Sequence, residues 1–125
     1  MQVLANANVF ARGLLASIAV LGATVGAAGE PRSVRDVVYD YAVTSYCGVL
    51  TPEVEVGFRI ELAEMTARQG LSAAQAKAQR IAGWIAADME WSNRGLGGFR
   101  AWCQGEGLDA ARHFQNIQKD SSKIP

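Results

Sequence analysis

From Ser33 onward, apolar residues recur at helical rather than alternating spacing, in four stretches separated by turn signals. The first runs from Ser33 to about Cys47. Val34, Val37, Val38, Tyr41 and Ser45 share one face, Ser33 is placed to cap the amino terminus with Asp36 in the first turn, and Gly48 supplies the stop. Its many β-branched residues bring it closest of the four to a strand pattern. The second opens on Thr51-Pro52-Glu53, a capping hydroxyl followed by a proline whose missing N–H matters least there, and should reach Gln69 before Gly70. Ser72 with Gln75 forms a capping box that opens the third and longest stretch, extending to Asn93 or Arg94. Glycines at 95, 97 and 98 then interrupt the pattern ahead of a short helical or irregular piece from Phe99 to Cys103. Gly105 and Gly107 should break it again before a last helix from about Leu108 to Gln118, with Ala110, Ala111, Phe114 and Ile117 inward. The expected fold is all-α, a small bundle of three to four helices over residues 29–118 with a frayed tail over 119–125.

Two helices carry more apolar surface than a small bundle needs. In the second, Val54, Phe58, Leu62 and Met65 line one side, while Val56, Ile60, Ala63 and Ala67 lie roughly opposite. If the first stripe faces the core, the second is a strip for a protein partner or a second copy; if this helix sits between its neighbours, both are buried. In the third, Ala74, Ala78, Ile81, Ala82, Ile85 and Met89 fall on one arc, where the alanines would let a neighbouring helix come close. On its flank, Arg80, Trp84, Asp88 and Trp91 follow one another at one-turn intervals, a spacing suited either to packing or to a pocket for a cation or small ligand.

The first 29 residues change the picture of where this domain works. Arg12 is followed by an uncharged stretch from Gly13 to Gly29, with small side chains at Gly26, Ala27 and Ala28. That is the layout of a secretory signal peptide over residues 1–28, and it implies an exported product, periplasmic or extracellular. An uncleaved anchor is the rival reading, but glycine and alanine fill much of the stretch. Of 12 basic and 12 acidic residues only Arg12 would leave with the leader, so one net negative charge remains. Such a balance gives no footprint for nucleic acid, and no later segment is apolar enough to span a membrane. Both cysteines, Cys47 and Cys103, lie beyond the leader, where an even count in an exported chain reads first as a disulfide.

Candidate chemistry is sparse. There is no Cys-x-x-Cys pair, no Gly-x-Ser-x-Gly and no phosphate-binding loop. The glycines ahead of Arg100 allow close backbone approach to an anion, though they serve equally to turn Cys103 toward Cys47. His113, the single histidine, follows Asp109 by one turn on what reads as a solvated helix edge, too little for a metal site or a catalytic triad. Tyr39 and Tyr46 point away from the apolar face of the first helix as possible contact residues. The format of leader, compact helices and cysteine pair resembles that of small periplasmic chaperones and of immunity proteins that neutralise secreted toxins, a likeness of format that carries no matching motif. The expectation is a non-enzymatic interaction protein of the cell envelope, without metal or cofactor, acting as an accessory subunit, chaperone or inhibitor. A small-molecule or ion binder with its pocket near Trp84, Asp88 and Trp91 is the alternative.

Overall fold

The computed structural model describes residues 31–94 and 97–125, and the residues of the expected leader lie outside that range. The described residues are all-helical. Helices α1 (Val34–Tyr46), α2 (Pro52–Arg68) and α3 (Ala73–Asn93) are followed by a short α4 (Gly98–Trp102), a π-helical turn (Cys103–Gly107) and α5 (Leu108–Ser121). Three of the starts are built as the local signals require. The Ser33 and Asp36 side chains cap each other's backbone N–H groups, Thr51 accepts from the Val54 N–H at 3.3 Å, and Ser72 and Gln75 form the second reciprocal box. Gly48 and Gly70 end α1 and α2 with φ of 67° and 59°, a left-handed conformation open to glycine without strain.

α1 is the centre of the bundle. It packs chiefly against α3 and also touches α2 and α5, while α2 packs chiefly against α5. Its valines therefore serve two apolar clusters. Val34, Val37 and Val38 join Val54, Met65, Ala111 and Phe114 in one; Ala42 and Val43 join Ala87 and Trp102 in the other, with Tyr46, Trp91 and Phe99 against them. The two contacts that set these distances are made by glycines inside helices. A Cβ on Gly57 would lie 1.9 Å from the Phe114 carbonyl oxygen, and one on Gly83 would lie 2.6 Å from that of Arg35. α2 and α5, and α1 and α3, thus approach backbone to backbone.

Three expectations are corrected here. Ser45 is exposed, and Ala42, Val43 and Thr44 are buried instead, because α1 is wrapped on several sides rather than along one face. Gly105 and Gly107 do not break the chain: the π turn carries it from Cys103 directly into α5, and Gly107 sits where a Cβ would be 2.9 Å from Cys47 Sγ. The tail is helical as far as Ser121, where the Ser121 and Ser122 hydroxyls join the Ser122 N–H in donating to the Gln118 carbonyl. Cys47 and Cys103 form the expected disulfide, with Cα atoms 5.3 Å apart. No helix among the described residues is long and apolar enough to cross a membrane.

Candidate functional site: an apolar face and a polar cleft

The face of α3 expected to be inward is turned outward. The side that meets α1 is built from Ala76, Gly83 and Ala87, all buried. Small residues win that position because Gly83 lets the α1 backbone and Val38 come closer than any aliphatic side chain would allow. At 100° per residue, Ala74, Ile81 and Ile85 then fall opposite α1, with Ala78 and Met89 to one side and Lys77, Trp84 and Asp88 to the other. Ile81 is 49% exposed, Trp84 42%, Ile85 54% and Met89 58%. These are four of the eight large apolar side chains most exposed among the described residues, so the apolar surface is concentrated on one helix rather than scattered.

The second stripe of α2 is less pronounced. Val56, Ala63 and Ala67 are exposed, while Ile60 is half-buried near Ile117 and Ile124 at the end of α5. The aromatic group on α3 is divided between two neighbourhoods. Trp91 packs against both Tyr46 and Phe99, with ring centroids 5.1 and 4.1 Å away, and Asp88 accepts from the Tyr46 hydroxyl at 3.0 Å. Trp84 makes an edge contact with Tyr41 instead, and Arg80 is half-buried. Asp88, Tyr46 and Trp91 are therefore brought together, with Trp84 apart from them. Gly97, at φ 95°, turns the chain into α4, which carries Trp102 into the core and Cys103 to its partner; Arg100 is exposed.

A polar cleft of about 350 Å³ lies between α1 and α5, lined by Arg32, Tyr39, Asp40, Glu106, Asp109 and His113. Two of its lining residues share a partner on α2: Glu61, 8% exposed, accepts from Arg32 Nε at 2.7 Å and meets His113 Nε2 at 2.7 Å, while Arg32 also reaches Asp40 at 2.7 Å. A buried carboxylate is thereby satisfied from both sides, and the segment ahead of α1 is tied to α2 and α5. The His113 side chain remains 42% exposed, but its acidic partner differs from the Asp109 that spacing suggested. Its partner is Glu61, on a different helix, and no local spacing announces that pair. Burial raises Asp40 above the ordinary carboxylate value, outweighing the opposing pull of Arg32. Among the described residues no cluster of His, Cys, Asp and Glu has the geometry to hold a metal ion.

Tyr39 at the cleft edge donates to Glu106 Oε2 at 2.9 Å, and Trp102 Nε1 donates to the same oxygen at 2.7 Å. Burial first, and then the bond to Glu106, push the Tyr39 phenol from 10.0 up to about 12. Because the folded value lies above the unfolded one, the stabilisation from Tyr39 is complete below pH 10 and is lost as pH rises toward 12. Urea midpoints measured across that alkaline range should fall for the wild type and fall less steeply for Tyr39→Phe, the remaining slope belonging to Tyr41 and Tyr46, which burial also raises. Parallel curves for the two proteins would show that Tyr39 does not contribute.

No protein-family model, curated protein or solved structure matches the chain.

Proposed function

We propose that this protein is an exported, non-enzymatic interaction protein of the cell envelope, an accessory subunit, chaperone or inhibitor, that meets its partner through the outer face of α3. The observation that carries the reading is the row Ile81, Ile85 and Met89, held exposed on the side of α3 away from α1, with Trp84 half-exposed on its flank. Full burial of such side chains is worth about 1.5–3 kcal/mol each, and about half of that remains to be gained from their present exposure, so the cluster of four supplies a hydrophobic anchor for binding. The charged groups of the cleft support the same reading, since Arg32, Asp40, Glu61 and His113 pair with one another and form a clamp between helices. Export rests on the leader pattern of residues 1–28, and with it a periplasmic or extracellular location.

Met89 supplies the test. In the isolated chain it is 58% exposed while Met65 is 7% exposed, so peroxide should oxidise Met89 far faster than Met65. In the native envelope, where the partner is present, Met89 should be protected, its rate falling about tenfold toward that of Met65. Equal Met89 rates in the envelope and in the dilute purified chain would overturn the proposal. For the alternative, a small-ligand binder, the cleft beside Tyr39 and His113 offers about 350 Å³. Native mass spectrometry of the protein taken directly from the envelope distinguishes the two: a retained small molecule favours the cleft, a retained polypeptide the α3 face.

A further inference from the structure

We infer that the partner on the α3 face is a second copy of this chain, with the two α3 helices packed antiparallel about a two-fold axis near Ala82 and Gly83. The inference rests on the α3 face being an interface and names its occupant. Ala74, Ala78, Ile81 and Ile85 are spaced by four, three and four residues, the repeat of a helix–helix seam rather than of a groove for an extended peptide. Placed antiparallel, the row complements itself. Ile81 meets Ile85 of the second copy on either side of the axis, and the large Met89 lies over the small Ala78, so that large side chains face small ones toward the ends of the seam.

The charges select the same arrangement. Lys77 and Asp88 share the flank that carries Trp84, are both exposed, and form no ion pair with each other or with other described residues. In an antiparallel pair, like flanks face each other with the direction reversed, so Lys77 of each copy meets Asp88 of the other, twice by symmetry. A parallel pair would set this flank against the opposite flank of the second copy, the side of Ala78 and Met89, and leave Lys77 and Asp88 without partners. The same flanks bring the two Trp84 rings together near the axis, where offset stacking of large aromatics anchors an interface. Asp88 keeps its bond from Tyr46 through Oδ1, leaving the carboxylate held in place for the approaching ammonium group.

Zero-length carbodiimide cross-linking of the purified protein, mapped by peptide mass spectrometry, tests this directly. Within one helix, Lys77 and Asp88 are separated by about 16 Å along the axis, beyond the combined reach of their side chains. A Lys77–Asp88 link is therefore intermolecular, and it should appear in a species of twice the chain mass. Lys77→Glu should weaken self-association about tenfold by light scattering, and the double change Lys77→Glu with Asp88→Lys should bring it back to within about threefold, circular dichroism confirming that both variants remain helical. A dimer without the Lys77–Asp88 link, or one indifferent to Lys77→Glu, overturns the antiparallel arrangement. A monomer whose Met89 is nonetheless protected in the envelope overturns the second copy as occupant while leaving the α3 face as an interface; a monomer with Met89 unprotected overturns both.

Discussion

Replacing Gly57 with alanine should destabilise the protein by about 4 kcal/mol or more, although alanine is the better helix former by about 1 kcal/mol. The new Cβ would lie 1.9 Å from the Phe114 carbonyl oxygen and 2.6 Å from its carbon, and both are backbone atoms within α5 that no rotamer change can move aside. α2 and α5 would have to separate, loosening the cluster of Val54, Met65, Ala111 and Phe114 and opening voids along its length. A loss of that size approaches the whole stability of a typical small domain, about 5–15 kcal/mol. Gly105→Ala is the internal control, since a Cβ there meets nothing within 4 Å, and it should leave the protein as stable as the wild type or more stable by up to about 1 kcal/mol. Urea denaturation of both variants checks the pair. A Gly57→Ala protein as stable as the wild type would show that the two helices do not touch where the structure places them.

Removing the disulfide should have the second large effect. Cys47 and Cys103 are 56 positions apart, and opening a loop of that length returns about 4 kcal/mol of chain entropy to the unfolded state. For a domain of this size the melting temperature of the Cys47→Ser, Cys103→Ser double variant should fall by about 15–30 °C. The loosening should begin in one place. α4 is only five residues long, and the bridge fixes the end that carries Trp102 and Phe99 against Tyr46 and Trp91. Hydrogen exchange in the double variant should therefore rise first over the segment from Gly98 to Gly107 and leave α2 and α5 protected until global unfolding. Uniform acceleration throughout the chain would contradict this local role.

How much of this was legible in the sequence follows from the range of each interaction. The starts at Ser33, Thr51 and Ser72 and the stops at Gly48 and Gly70 depend on residues within one turn, so the signals are written side by side and the elements follow. The disulfide was legible because the leader pattern implied an oxidising compartment, where two cysteines leave one intramolecular choice. The direction of α3 was not. Periodicity shows that a helix has two faces but not which one its neighbour takes, and the usual preference for large aliphatics inside pointed to Ile81, Ile85 and Met89. What decided it was Gly83, whose missing side chain admits the Arg35 carbonyl and Val38, an effect visible only once α1 is in place. The same holds for Gly57 against Phe114, and for His113 against Glu61, where the two partners are distant in the chain. α5 was read too short because its end is held by the Ser121 and Ser122 hydroxyls rather than by an apolar repeat.

The outer face of α3 carries the functional account, and Ile85 is its most direct probe, being 54% exposed at the middle of the row. Sedimentation equilibrium of the wild type and of Ile85→Asp, over a hundredfold range of concentration, separates an interface from an unused surface. The account predicts a wild type that moves from one chain to two as concentration rises, and an Ile85→Asp protein that remains a monomer throughout with its thermal stability changed by less than about 0.5 kcal/mol. A wild type that is monomeric at every concentration would contradict the second copy as occupant of this face, and an Ile85→Asp variant that still dimerises would contradict α3 as the interface.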